Sequence, residues 1–462
     1  MLRLGSAGER VKAMRAAAAL IVVLALAAQS APRWYERTGY RSRSSRGGSS
    51  GTVASMLFEF ASSSGVGAGA ACACSAVTGS LGEVMTFTRS GSAYCQKQGY
   101  ATTGLVDGDL VLCSANQPRV VATSDGGLGL LVEGAATNIL TQPRDIGAWT
   151  PFNYTVASTI TPDAGTRIDG SSGGWRVDMP ACTGGTDVAQ IYLPTTFPSG
   201  AVTCTGYFKG AGVGGTTYMW IHDGAADVAG AACTFVDGQW TRCSTTHTFA
   251  SGVTGAIIFG NNRWGAGGIT APTDATSFIV DALQCEAGST ASSFYTGART
   301  AETPYLTMAT ALEGDKSWSV SARFERPAVT STPATTFITL ELMKPSTYNL
   351  IRVDRVSNTA QMYAFIYGAV MPSGSAGTIA YTPALTASTK ATVVSLRYDT
   401  ATAKVRTRVD GTSSSEGALT NTPHTGHEMT RVYVGFSPNY SLHGNGIVSS
   451  VCVDQTATGC WR

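Results

Sequence analysis

Leu128-Gly129-Leu130-Leu131-Val132-Glu133-Gly134-Ala135-Ala136-Thr137-Asn138-Ile139-Leu140, with Trp149 soon after, is an apolar run broken by a Glu-Gly step and resumed at Ile139. It is too short for a helix of ordinary length and is bounded by glycine, so it reads as a buried strand running into a joint. Its Leu, Val and Ile side chains pack the strand, and Glu133, Thr137 and Asn138 are expected to serve that joint rather than a ligand. The same punctuation continues outward in both directions. From Trp149 to Cys285, runs such as Val202–Phe208, Thr217–His222, Trp240–Phe249 and Ala256–Phe259 alternate with Gly-rich or Asp-Gly turns, and eight further runs follow between Ser317 and Val453. Only 13% of the residues are charged and 54 are glycine, which disfavours long solvated helices and suits short strands joined by turns. The expected fold is all-β, in tandem β-sandwiches behind a short N-terminal apolar helix.

The 462 residues allow about three domains, each able to bury its own core. Residues 1–31 form a signal-like or anchoring apolar segment: Ala16–Ala28 is preceded by Arg10, Lys12 and Arg15 and followed by Ser30 and Ala31, the layout of an export signal. A bilayer span needs about 20 apolar residues, more than this run supplies. Residues 32–52 read as a basic Ser/Gly-rich linker, 53–130 as a small β-rich region, 131–298 as one sandwich and 299–462 as another. The head concentrates positive charge in Arg3, Arg10, Lys12, Arg15, Arg33, Arg37, Arg41, Arg43 and Arg46. The whole chain is only +2, so the body is slightly acidic and offers no footprint for nucleic acid.

Eleven cysteines suit an oxidising compartment. Cys72-Ala73-Cys74 has neither a second pair nor neighbouring histidines, so zinc is not expected. Cys233 and Cys243 flank Asp237-Gly238, and Cys452 and Cys460 flank a polar turn; both spacings suit bridged hairpins, and both disulfides are expected.

The opening segment and a later one, Ala282-Leu283-Gln284-Cys285-Glu286-Ala287-Gly288 through Phe294-Tyr295-Thr296-Gly297-Ala298-Arg299-Thr300-Ala301, resemble paired junction phrases of bacteriophage tail and fibre proteins. Phe87-Thr88-Arg89-Ser90-Gly91-Ser92-Ala93-Tyr94, Leu105–Leu110 and Asn116-Gln117-Pro118-Arg119 resemble further pieces of that pattern, in the same order. Tyr398-Asp399 through Val409-Asp410-Gly411 and Val434-Gly435 through Ile447 are similar to late strands of concanavalin A-like (laminin-G-like) domains. The resemblance implies a carbohydrate-binding-like jelly roll at 131–298 followed by a concanavalin A-like sandwich at 299–462. It also implies a non-catalytic phage or prophage tail-fibre-like protein that binds bacterial surface polysaccharide, as a homotrimer among other virion or particle proteins. The cysteines and the signal-like head depart from the pattern and favour a secreted bacterial glycan-binding adhesin; a polysaccharide depolymerase is a further alternative.

Glycan recognition stacks aromatic faces on sugar C–H surfaces and fixes hydroxyls with amides and charges. Asn261-Asn262-Arg263-Trp264 opens a polar, Gly-rich loop where an indole beside two amides and a guanidinium could cradle a saccharide. Tyr218 and Trp220 share one strand face, with His222 at its end. Trp240 reads as core packing. No catalytic residue is expected: a retaining or inverting glycosidase needs two carboxylates across the scissile bond, and the strand around Glu341 supplies one. His424-Thr425-Gly426-His427-Glu428 lacks the helical i, i+4 spacing of a metal site. Asp107 and Asp109 could touch calcium, but an Asp-Gly turn accounts for them, and no cofactor is expected.

Overall fold

The computed structural model describes residues 55–59, 85–124, 127–153, 157–182, 189–261, 274–313, 315–325, 337–343, 350–355, 362–367, 379–381, 392–402, 404–409, 412–413, 417–418, 428–437, 442–443 and 446–460. The apolar run with its expected helix, the basic linker, Asn262, Arg263, Trp264 and the His424–His427 segment lie outside the described residues. Among the described residues the chain is built almost entirely from antiparallel strands, in two sandwiches.

The outer sandwich packs a nine-stranded sheet on a seven-stranded one. The first runs in the order Thr412–Ser413, Lys404–Val409, Thr392–Asp399, Trp318–Glu325, Gly446–Asp454, Leu128–Val132, Arg119–Ala122, with Ser55–Glu59 and Gly417–Ala418 as side branches. The second runs Met85–Thr86, Tyr305–Glu313, Glu428–Val434, Phe337–Met343, Leu350–Arg355, Met362–Tyr367, Ile379–Tyr381. Period-two alternation fills the space between them: Trp318, Val320, Ala322 and Phe324 point inward from one strand, against Leu396, Val432 and Val453. Burying side chains of this size stabilises by about 1.5–3 kcal/mol each.

Strands from the region 53–130 are built into these same sheets rather than standing as a separate unit. Leu128–Val132 pairs with Arg119–Ala122 on one side and with Gly446–Val448 on the other, and Met85, Phe87, Val120, Leu130 and Val132 sit in the same core as Trp318 and Val453. A five-residue strand with four buried positions needs neighbours on both edges and both faces, and the C-terminal strand supplies them.

The inner sandwich lies between Val132 and Tyr305 in the chain. One of its five-stranded sheets has the order Trp240–Phe249, Gly200–Gly210, Thr276–Ala287, Gly174–Met179, Thr159–Gly165. The other has the order Asp227–Phe235, Gly215–His222, Val253–Gly260, Ala189–Phe197, Thr150–Asn153. Phe197, Phe208, Phe235, Phe259, Phe278 and Trp149 form its core. A hairpin of Ala93–Gln96 with Leu110–Cys113 lies on the outer face of the first of these sheets, where Tyr94, Leu105 and Leu110 pack on Tyr207, Trp240 and Ile279. Trp240 is fully buried there, and its Nε1 donates to Asp107 Oδ1 at 2.7 Å. Asp107-Gly108 therefore does not turn a hairpin between its flanking runs. Leu110–Cys113 pairs upstream instead, and Asp107 also holds Lys209 Nζ at 2.7 Å.

Disulfides join Cys204 to Cys285, Cys233 to Cys243 and Cys452 to Cys460. The strands on either side of Asp237-Gly238 belong to different sheets, so this turn is a sandwich corner and not a hairpin, and Cys233–Cys243 staples the two sheets together. Cys460 sits in a terminal turn rather than a strand; there Ser319 Oγ donates to Thr456 O and accepts from Cys460 N. Cys204–Cys285 links neighbours in one sheet, a pairing that sequence spacing did not suggest.

Candidate functional site

The second sheet of the inner sandwich carries an aromatic outer face. In Gly215–His222, Thr217, Met219 and Ile221 are turned to the core, which leaves Tyr218, Trp220 and His222 on the opposite side. Strand register then sets ranks across the sheet. Tyr192, Ile258, Trp220 and Gly230 stand side by side in one; Gln190, Gly260, Tyr218 and Ala232 form the next. On the other side come Pro194, Ala256 and His222, with Asp227 beyond a bulge.

Two glycines make room for the indole. A Cβ on Gly230 would lie 1.9 Å from Trp220 Cδ1, and one on Gly260 would lie 3.1 Å from Trp220 Cζ3, so the ring lies flat over three strands. Tyr218 stacks on it, with ring centroids 5.4 Å apart and planes 10° from parallel. Trp220 is only 5% exposed and forms the floor, while Tyr192 and Tyr218 are half-buried and form its accessible edge. His222 Nδ1 lies 3.0 Å from Asp227 Oδ1 at the end of the patch.

Asn261 is fully buried and spends its amide internally. Its Nδ2 donates to Pro180 O at 3.3 Å and Asp274 O at 3.2 Å, and its Oδ1 accepts from Thr276 Oγ1 at 3.0 Å. It ties its own position to Pro180 and Asp274 and leaves neither amide proton for a ligand. The sequence reading missed Tyr192 and Asp227. Alternation in Ala189–Phe197 puts Tyr192 opposite Ile191 and Leu193, but only the register with Ile258 brings it beside Trp220.

The two sandwiches meet in a buried ionic joint. Arg119 Nε donates to Glu302 Oε1 at 2.8 Å, and its Nη2 donates to both Glu302 Oε2 and Glu133 Oε2 at 2.7 Å. Arg89 Nη1 reaches Glu302 Oε1 at 2.6 Å, and Arg299 Nη1 reaches Glu133 Oε2 at 2.8 Å. Glu133 also accepts from the Ser293 backbone N at 2.7 Å and from its hydroxyl at 2.5 Å. Burial alone would raise the Glu133 carboxyl, but Arg299, Arg119 and the Ser293 donors pull it down to about 2. Next to this cluster, Asn138 Oδ1 accepts from Leu140 N and Cys285 N, and its Nδ2 donates to Leu283 O and Tyr295 O. Glu286, raised by burial, accepts from Ser292 Oγ at 2.7 Å, Gln284 Nε2 at 2.8 Å and Tyr295 OH at 3.0 Å. Thr137 is exposed, in the short pair that Ala136–Thr137 makes with Ala298–Arg299.

No protein-family model matches the chain, and no curated protein matches it. Among solved structures it is similar to the CBM40 module of the Ruminococcus gnavus IT-sialidase bound to α2,3-sialyllactose, at 10% identity over 31% of this chain and 78% of that one, with a TM-score of 0.25. It is similar to an endo-1,3-β-glucanase from Streptomyces sioyaensis at 16% identity over 34% and 71% of the two chains, with a TM-score of 0.27. The tail fibre protein gp63.1 of an E. coli phage matches at 12% identity over 70% of this chain and 41% of that one, with a TM-score of 0.21. At these identities and scores none of the likenesses bears a functional argument.

Proposed function

We propose that this chain is a tail-fibre-like surface protein that binds bacterial surface polysaccharide without cleaving it, through the outer face bearing Tyr192, Tyr218 and Trp220. The observation that carries the reading is the Tyr218–Trp220 stack on the side of the sheet turned away from its core. A flat aromatic patch bordered by an imidazole that a buried carboxylate holds in place has the two parts of a sugar subsite, a stacking surface and a polar group for hydroxyls. The hairpin 93–113 occupies the outer face of the other inner sheet, so the two faces are not equivalent. Asn262, Arg263 and Trp264, which follow Asn261 in the chain, belong to the same proposal as a second contact. Weak single sites of this kind gain strength when repeated, which favours a homotrimer on a particle.

A second reading, a secreted adhesin of the same binding chemistry, is favoured by the disulfides, since such bonds persist in oxidising compartments. The full chain on an array of bacterial surface polysaccharides tests the binding, with Tyr218→Ala, Trp220→Ala and Trp264→Ala alongside. Loss of about ten-fold or more in the first two variants is expected. Full binding by all three would refute the site, and new reducing ends released from a bound polysaccharide would refute the non-catalytic reading.

A further inference from the structure

The sheet that carries the aromatic face is nearly stripped of charge. None of its five strands, Thr150–Asn153, Ala189–Phe197, Gly215–His222, Asp227–Phe235 and Val253–Gly260, contains a lysine, arginine or glutamate, and Asp227 is their one carboxylate. The other sheet of the same sandwich carries Arg176, Asp178, Lys209, Arg242, Asp281 and Glu286. The lack of charge therefore belongs to one sheet and does not follow from the composition of the whole sandwich.

Along the outer face the ranks run from hydroxyl to aromatic to hydroxyl. Beyond the Tyr218 rank, Thr216 stands opposite Thr234 with their Oγ1 atoms 3.0 Å apart. Beyond the His222 rank, Thr196 stands opposite Thr254. Thr196, Thr234 and Thr254 are exposed and Thr216 is half-buried, so neutral hydroxyls bound the aromatic patch at both ends. His222 adds one further polar group. A carboxylate only accepts, so the 3.0 Å contact with the buried Asp227 Oδ1 puts the proton on His222 Nδ1 and leaves Nε2, across the ring, as an acceptor. The neighbouring Asp223 carboxylate is taken up by its own turn, where Oδ1 accepts from Ala225 N at 2.9 Å and Ala226 N at 2.7 Å.

On the glycan-binding reading given above, we infer that this face takes a neutral polysaccharide, of uncharged hexose or N-acetylhexosamine units, with His222 as a specificity-determining residue. Its Nε2 accepts a sugar hydroxyl while Asp227, a positioning residue, holds the ring. An acidic sugar laid on these rings would lose water from its carboxylate with no guanidinium or ammonium on the sheet to replace it, and the charges beside His222, those of Asp223 and Asp227, are of its own sign. A neutral sugar covers the rings with its C–H face and keeps hydroxyl partners at the rim.

The test is binding of the full chain to dextran, mannan, galactan and chitin oligosaccharides as neutral probes, and to polygalacturonate and polysialic acid as acidic ones. Binding to at least one neutral probe is expected, weakened about ten-fold or more in Trp220→Ala and changed less than about two-fold between roughly 0.05 and 0.5 M NaCl. His222→Gln should change the ratio of affinities among the neutral probes by about ten-fold or more, whereas Tyr218→Ala weakens them alike. Ring 15N shifts of His222 should show the proton on Nδ1, and they decide its role alone should Tm of the His222 variant fall. An acidic probe that binds as tightly as any neutral one and is lost in Trp220→Ala would overturn the neutral assignment while leaving the aromatic site standing. No probe whose binding Trp220→Ala weakens would overturn both. A proton on Nε2 in the native chain, or an equal loss on every neutral probe in His222→Gln, would remove His222 from its role.

Discussion

Glu133→Gln is the perturbation that bears hardest on the joint. In the native joint Arg89, Arg119 and Arg299 face Glu133 and Glu302, all buried, with side chains at most 3% exposed. The substitution leaves three guanidinium groups to one carboxylate. Removing one partner of a buried ion pair costs about 3–5 kcal/mol, because the remaining charge stays out of water. Glutamine keeps a carbonyl oxygen for Ser293 N, which argues for the lower end. An independent route gives a similar size: a carboxyl at about 2 in the folded chain and 4.5 unfolded corresponds to roughly 3 kcal/mol of stability near neutral pH. For a domain of 150–250 residues each kcal/mol moves Tm by about 2–4 °C, so a fall of roughly 6–12 °C is expected.

The pH dependence carries the sign. The folded-state value lies below the unfolded one, so the contribution of Glu133 is complete above pH 4.5 and is lost as pH falls towards 2. The gap in stability between the native chain and Glu133→Gln should be widest at pH 7 and shrink between pH 4.5 and 2. Urea unfolding followed by tryptophan fluorescence at several pH values reads it. A variant within about 1 kcal/mol of the native chain at pH 7, or a gap that is flat from pH 5 to 2.5, would refute the view that these charges hold the joint.

Gly230→Ala puts a methyl group where the Trp220 ring lies, so it should displace the indole, cost about 1–3 kcal/mol and weaken glycan binding as much as Trp220→Ala; unchanged binding on the array would mean that the flat ring is not the floor of a site. Ala282 has φ 52° and sits beside the register shift between Gly200–Gly210 and Thr276–Ala287, a left-handed conformation that costs an alanine about 1–2 kcal/mol. Ala282→Gly should therefore raise stability by up to roughly 1 kcal/mol after the greater freedom of glycine in the unfolded chain, seen as a higher urea midpoint, and a lowered midpoint would count against that strain.

The strands were legible because alternation and glycine punctuation are local. Which sheet each strand joins was not, because that is decided by residues far away. Asp237-Gly238 illustrates the gap: a corner between two sheets and a hairpin within one use the same left-handed glycine, here with φ 70°. Leu128–Val132 shows it on a larger scale, since its apolar character says that it is buried but not that its cover comes from Gly446–Val448, over three hundred positions away. Trp220 was legible as an aromatic on a shared face with Tyr218, yet its near-complete burial follows from Gly230 and Gly260 on neighbouring strands. Asn261 looked like a loop amide turned to solvent because its acceptors, Pro180 O and Asp274 O, are backbone groups that leave no trace in the sequence.

The joint also explains why the phage-like phrases are where they are. Arg89 belongs to the first short phrase, Arg119 to the third, Glu133 and Asn138 to the opening segment, and Gln284, Glu286, Tyr295 and Arg299 to the closing one; all are buried or nearly so, and each bonds to a partner in another phrase or in the chain beside it. A buried charge must find its partner at hydrogen-bond distance, which fixes both residue type and position on either side of the contact. A sheet face that meets a polysaccharide carries no such constraint from folding, because its side chains are free to differ once the core beneath them is filled. The resemblance therefore identifies how one sandwich is set into another, and it is silent on what either sandwich binds. On the proposed reading, specificity belongs to the outer face at Tyr192, Tyr218 and Trp220, where no part of the phrase reaches.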